Sequence, residues 1–522
     1  MNSFLSTYFP VVKDASGRES TVLRVHHAIY FVLLTILVAA QVVSKFMMSG
    51  MQILLVVNWL LEGAYLLFSH RRGTTHSTIR NESRWLLYAF LVMMGVHLLW
   101  LLRSNNMEYA MSDIFGKMPL LAIPVVLLTS RPLNLKQLVW LLFAFVIAIF
   151  VTTIIGVVRI MTIPDLPYRD TVPFISHIRF SLNICGAIVL LVWFVAKTMH
   201  SSKTKAIVSV LMMVWFLVFL VILRSYTAFI VLFVTAWIML LIYWRRMGVH
   251  RRWALASLSV LTVALALTTF VYARSYYGGD FSKTQYGLVE NGNLLNDNVS
   301  QSELEQQWHT RSSMDIYDTT PNGYTVYPTL VRYLNASGMT KDSAGLAQLT
   351  GDDIRSVEKG IANPVYVKGS NIKKMYFVLL FEYENYRVNG SIRNSSMLER
   401  FELWRGAWRV FCANLFLGVG TGDGVDELHS RLQADNSQIS DTVKHAHNQY
   451  LSFLVSFGLV GFLLIAIAFV YAFRRLGLRS IPAMMAIVII LLLSFVSEDT
   501  LETLAGCVLC TVIPCILARM EK

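Results

Sequence analysis

The stretch HAHNQYLSFLVSFGLVGFLLIAIAFVYAF, residues 445–473, decides the fold class. From Gln449 onward it carries no formal charge for about 25 residues, enough for one helix to cross a hydrocarbon layer of roughly 30 Å. An imidazole is costly against hydrocarbon unless something uses it. His447, at the mouth of this run, therefore raises a question of chemistry as well as of topology. The rest of the chain is of the same kind. Of 522 residues 55% are hydrophobic and 15% charged, where a soluble domain carries roughly 25% charge.

Working outward from residues 445–473, twelve apolar stretches read as spans, the fourth of them short: 27–48, 51–69, 84–102, 114–129, 137–159, 179–198, 206–223, 226–244, 253–273, 449–473, 480–496 and 502–518. The expected fold is an all-α polytopic integral membrane protein of about twelve transmembrane helices. The connections SHRRGTTHSTIRNESR, TSRPLNLK, KTMHSSKTK, WRRMGVHRRW and FRRLGLRS are basic, whereas MMSGMQ and SEDTLET are poor in Lys and Arg. Lys and Arg collect on the cytoplasmic side, so this pattern places both termini inside. Most of the +13 net charge then serves orientation, and nucleic acid is not an expected partner. The first apolar run has full spanning length with no short core and small-residue site after it, and reads as a retained signal-anchor.

Three regions follow: residues 1–273 with nine spans, 274–448 as a large loop on the outer face, and 449–522 with three spans. The loop begins with GGDFSKTQYGLVENGNLLNDNVSQSELEQQ, rich in Asn, Gly and Ser, which reads as irregular. NIKKMYFVLLFEYENYRV mixes aromatic and charged residues, as an interfacial or packed segment does. SSMLERFELWRGAWRVFCANLF has helical periodicity, with Ser395 or Ser396 as cap and Arg400, Trp404 and Trp408 on one face. The loop is thus expected to be mainly helical. Of five cysteines only Cys412 lies in it, so no internal disulfide staples it; the CxxC of Cys507 and Cys510 sits in an apolar run and reads as buried thiols.

Several residues are candidates for chemistry. NLFLGVGTGDG (414–424) has four glycines whose N–H groups could cradle phosphate, but it lacks the strand context of a dinucleotide site and the Lys of a phosphate loop. It reads as a flexible turn after a helix, and its Asp423, Asp426 and Glu427 do not have the spacing of a calcium loop. Arg179, Arg224 and Arg400 lie on the outer side, where the charge bias disfavours arginine. Each is either a snorkelling anchor or part of a site for an anion such as phosphate. His447 is either structural or a general base, with His445 as competitor. Asn448 either orients a substrate or caps the following helix. The HxH pair has no third ligand nearby, so no metal site is expected.

RFELWRGAWRVFCANLFLGVGTGD followed by HAHNQYLSFLVSFGLVGFLL resembles the O-antigen ligase and polymerase family of bacterial envelope glycosyltransferases, with SHIRFSL and SEDTLETLAG similar to its long-loop, Bacteroidetes-type branch. The resemblance implies a GT-C-like, metal-independent, inverting enzyme without cofactors in the bacterial inner membrane, with its active site at the periplasmic face. It implies an undecaprenyl diphosphate-linked glycan as donor and the lipid A core, or another hydroxyl acceptor, as acceptor, among membrane lipids. It maps the family histidine onto His447 and one family arginine onto Arg400. A second maps onto Arg224, where LRSYT replaces the family's S-R-T pattern. Those three are the expected catalytic residues, and Arg179, Asn448, Trp404 and His445 the expected substrate-binding ones. The same donor serves O-antigen polymerases and protein O-oligosaccharyltransferases, so these are alternatives, and a flippase for the same lipid is a further one. Residues 274–390 receive no role from the resemblance.

Overall fold

The computed structural model describes residues 20–68, 82–164, 166–199, 201–248, 250–279, 287–442 and 444–520. The N-terminal tail, most of the basic connection 69–84 and residues 280–286 of the Asn- and Gly-rich stretch lie outside the described residues. So do His200 and Val249 in two other basic connections.

The chain divides into two compact units, one of residues 1–239 with 396–522 and one of residues 240–395. The first unit holds helices α1 (Thr21–Val43), α2 (Lys45–Phe68), α3 (Arg84–Leu99), α4 (Met107–Lys117), α5 (Pro119–Thr129), α6 (Leu135–Thr162), α7 (His177–Thr198), α8 (Lys203–Ile222) and α9 (Tyr226–Tyr243). The second holds α10 (His250–Tyr276), α11 (Gln301–His309), α12 (Val326–Ala336), α13 (Ser343–Ala347), α14 (Gly351–Glu358), α15 (Val365–Lys368) and α16 (Asn371–Asn389). The chain then returns to the first unit with α17 (Ser396–Ala413), α18 (Gly424–Ala434), α19 (Gln449–Leu476), α20 (Pro482–Ser497) and α21 (Leu504–Met520).

Among the described residues ten helical stretches are long and apolar enough to cross a membrane, α4 and α5 together forming one of them, and α20 and α21 are shorter apolar helices at the last two expected positions. The fourth span starts earlier than its apolar run suggests, at Met107. Its first part, α4, is amphipathic and ends at the buried Lys117 just before Pro119 opens α5. Several helix starts are fixed by short polar residues. Ser20, Asn134, Ser176, Ser202 and Asn448 each accept a backbone N–H of the first turn through the side chain, and Asn134 and Gln137 form a reciprocal capping box. α21 is buried nearly all round, which places Cys507, Cys510 and Cys515 as free, buried thiols in the bundle core.

The second unit corrects the reading of its first part as irregular. Val289–Glu290 pairs with Asn293–Leu294 as a short antiparallel hairpin, and Gln301 starts a helix. Trp308, Tyr333, Leu304, Leu330, Leu334 and Val357 close a small core of their own. Buried Glu290 ties it together, accepting two hydrogen bonds from Arg332 and one from Asn363. α10 and α16 pack on each other, with Tyr272 and Tyr376 stacked at 4.8 Å.

Candidate active site

The glycine-rich turn 414–424 is docked rather than flexible. Val419 and Gly420 donate backbone hydrogen bonds to Val455 and Ser456, and Leu459 and Val460 donate back to Leu415 and Phe416. This exchange occurs where α19 is broken at Gly458, with φ 61° and ψ −167°. A Cβ at Gly418 would stand 2.5 Å from the Gly458 nitrogen, so both positions need glycine for backbone approach. Trp100 and Arg103 donate to the carbonyls of Leu417 and Gly418. The Asp423 carboxylate accepts the backbone N–H groups of Asn105 and Asn106. The turn therefore spends its polar groups on fixing α17 and α18 to α19.

A second crossing lies at the start of α19, opposite the α20–α21 connection. Asp499, buried, accepts the backbone N–H of His447 at 2.6 Å and of Asn448 at 3.0 Å, and the Ser452 hydroxyl at 2.8 Å. Burial, then the Glu502 charge, raises its carboxyl above the ordinary value; three donors nevertheless favour the carboxylate. The clamp holds His447 in the left-handed region at φ 50°. Among the described residues, the other non-glycine residues with positive φ are Arg224, also at 50°, and four asparagines. Asparagine tolerates this conformation, whereas histidine and arginine adopt it only where their surroundings impose it. Two of the residues marked out by sequence are thus the two unusual backbones.

The His447 imidazole stands 3.8 Å from Asp499 through Nδ1, beyond hydrogen-bond reach. Burial first, then the positive charges of Arg400, His445, Lys444 and Arg179, push its pKa down to about 4. It is neutral at pH 7 and able to accept a proton. Arg400, on α17, donates from Nη2 to Glu498 at 2.6 Å and from Nη1 to Ser396 at 3.4 Å. Arg179, at the start of α7, donates to Ser176, and its charge acts on Glu498 together with that of Arg400. Burial outweighs both cations and raises the Glu498 carboxyl above its ordinary value. Three donors in this group are buried without a hydrogen-bond partner: Arg400 Nε, Arg179 Nε and Trp404 Nε1. Trp404 lies one turn along α17 from Arg400.

Arg224 joins the group through aromatic rings. Its guanidinium lies 5.1 Å from the centre of Tyr168, whose ring meets His177 edge-on at 5.8 Å, two residues before Arg179. Ser225 beside it bonds Ser181 of α7 at 2.8 Å. Asn448 caps α19, its Oδ1 accepting from Leu451. His445 turns elsewhere. Its Nε2 lies 3.2 Å from the Tyr109 hydroxyl. Both line a cavity of about 40 Å³ with Asp113, Lys117 and Glu502. There the buried Lys117 pairs with Asp113 at 2.8 Å and with Glu502 at 2.7 Å. The two histidines of HxH are therefore engaged separately. Among the described residues no group of three His, Cys, Asp or Glu is placed to hold a metal ion.

Glu498, Asp499, Tyr168, His177 and the Asp113–Lys117–Glu502 triad were not singled out by sequence. For the triad a signal existed: Asp113 and Lys117 are four apart in a span, and ionisable groups inside spans are rare. For Glu498 and Asp499 the signal was the likeness of SEDTLETLAG to the family's long-loop branch, which gave neither residue a role. An apolar crevice of about 240 Å³ is lined by Tyr450, Phe453, Phe462, Phe469 and Phe473 of α19 and by Phe495 of α20, among others.

Residues 360–466 match the family model described as O-antigen ligase. That segment is similar to the O-antigen ligase family. The matched segment runs from just before α15 to Ala466 within α19 and includes Arg400, Trp404, the docked glycine turn, His445, His447 and Asn448. Arg179, Arg224, Glu498 and Asp499 lie outside it. No curated protein matches the chain. The matching segment lies in a chain whose described residues hold ten helical stretches long and apolar enough to cross a membrane, as a multi-pass membrane protein has.

Proposed function

We propose that this protein transfers a glycan from undecaprenyl diphosphate to a hydroxyl of the lipid A core at the periplasmic face of the inner membrane. The observation that carries this reading is the set of buried, unpartnered N–H donors on Arg400, Arg179 and Trp404, with the two arginines acting on a half-buried, neutral imidazole. Buried polar groups are ordinarily paired. Donors left open beside fixed cations suit an anion with many acceptor oxygens, and a diphosphate is one.

In the proposed reaction the acceptor oxygen attacks the anomeric carbon on the face opposite the diphosphate. The new C–O bond forms as the bond to the diphosphate oxygen breaks, with inversion. His447 takes the hydroxyl proton, and the electron pair leaves on polyprenyl diphosphate. Arg400, Arg179 and Arg224 stabilise the departing charge without a metal or other cofactor, in the manner of the GT-C class. The Asp499 clamp fixes the imidazole for this step. Donor binding brings negative charge among the cations that depress His447, which raises its pKa and makes it a better base. Trp404 supplies a further donor to the head group, and Asn448 orders the turn that presents His447. The apolar crevice takes the lipid tail. Its lining runs along α19 from Tyr450 to Phe473 and is almost wholly apolar, which suits part of a polyprenyl chain.

The surface glycolipid of a deletion strain tests the reading. A ligase leaves bare lipid A core and accumulated lipid-linked polymer. Single repeat units on lipid A would assign the protein as a polymerase instead, and intact surface glycan with under-glycosylated protein as a protein O-oligosaccharyltransferase.

A further inference from the structure

Glu498 is a buried carboxylate held at 2.6 Å by Arg400 and within the field of Arg179. Its neighbour Asp499 has fixed duties, with both oxygens committed to His447, Asn448 and Ser452. The Glu498 backbone is likewise fixed, its N–H donating to Ser494 at the end of α20. Its side chain bonds Arg400 and takes no part in the clamp on His447. The Glu498 carboxylate bonds Arg400, while Nε of Arg400, Nε of Arg179 and Trp404 Nε1 remain open.

We propose that Glu498 is a built-in substitute for the donor's phosphate. Its carboxylate occupies the anion position at Arg400 until a diphosphate head displaces it, so this residue sets the affinity and charge selectivity of the site. The inference rests on the diphosphate reading above. It explains why an acidic residue sits inside a site for an anion. Buried arginines left without any anion would carry a large desolvation cost in the empty enzyme. With Glu498 in place, weakly charged head groups gain too little to displace it, while a diphosphate brings more charge and more acceptors. Burial raises the Glu498 carboxyl above its ordinary value, a cost that a departing side chain relieves.

The test is binding of inorganic pyrophosphate, with EDTA present, to the purified full chain in detergent, together with donor KM and kcat. Glu498→Gln keeps the shape and an acceptor for Arg400 but removes the competing charge. It is expected to bind pyrophosphate roughly tenfold more tightly and to lower donor KM, the scale of one charge in a partly desolvated site. If Glu498 merely positions Arg400, the same change weakens binding, and weaker or unchanged binding overturns the proposal. Should Glu498→Gln not accumulate as folded protein, Glu498→Asp decides. Its charge is drawn back by one methylene, so displacement predicts tighter binding by a smaller factor, and a positioning role predicts weaker binding. Arg400→Ala separates this inference from the reading beneath it. If that variant loses pyrophosphate while Glu498→Gln gains nothing, only the Glu498 proposal fails. If Arg400→Ala binds pyrophosphate as the wild type does, the diphosphate reading fails.

Discussion

The glycine turn at 414–424 and the crossing at His447 both dock on α19, and they use their polar groups in opposite ways. The turn exchanges backbone hydrogen bonds across a break in the helix and leaves little to spare. The crossing clamps its backbone with one carboxylate but keeps an imidazole neutral and three donors open. In sequence the turn has the appearance of a phosphate cradle. In the structure its glycines serve close packing, and the open hydrogen-bonding capacity lies with side chains around His447. Unspent donors, more than a glycine pattern, mark where a ligand belongs.

The largest effect that would break this contrast is expected at His447. His447→Ala should reduce transfer by about 10²–10⁴-fold while the protein stays inserted and abundant, measured as surface glycan per copy of protein. Arg400→Lys should follow, with a loss of about 10²-fold, because an ammonium does not reproduce the forked contact; near-normal rates in both Arg400→Lys and Arg224→Lys would remove the case for a cation clamp. Gly418→Ala should behave differently. The added Cβ meets backbone at 2.5 Å, so thermal stability should fall by about 2 kcal/mol or more, while transfer per folded molecule stays within about threefold. A much larger loss of transfer in folded Gly418→Ala would return the glycine turn to the chemistry.

The smallest effect sharpens the comparison through pH. His447 in the free enzyme is held near pKa 4 by burial and neighbouring cations. The base is active when neutral, so kcat/KM should hold as pH falls from 8 and decline only as His447 protonates, near pH 4. Donor charge opposes the same cations, so the acid limb of kcat should lie at higher pH than that of kcat/KM. Coincident limbs near pH 6.5 would show that the imidazole is not desolvated as described.

The apolar helices were legible because hydrocarbon length and lack of charge leave few alternatives. His447, Arg400 and Arg179 were legible because each is a costly residue at a membrane boundary. Arg224 was legible as a charge, but its route to the site through Tyr168 was not, since residues 168 and 224 are brought together only by packing. Glu498 and Asp499 were hidden for the same reason: an acidic connection between two spans looks like ordinary outer-face composition until α20 places it against α7 and α19. The hairpin and core of residues 287–395 were hidden by composition, because Asn, Gly and Ser there form turns around a small core instead of a flexible coil.

The central claim is that fixed guanidinium groups and one imidazole suffice for transfer from a lipid diphosphate. Its most direct test is purified wild-type chain with a polyprenyl diphosphate-linked glycan and a lipid A core acceptor in EDTA. The account predicts a glycosylated acceptor of inverted anomeric configuration and release of polyprenyl diphosphate. A strict need for added Mg²⁺ or Mn²⁺, or a product that retains the donor's configuration, would contradict it.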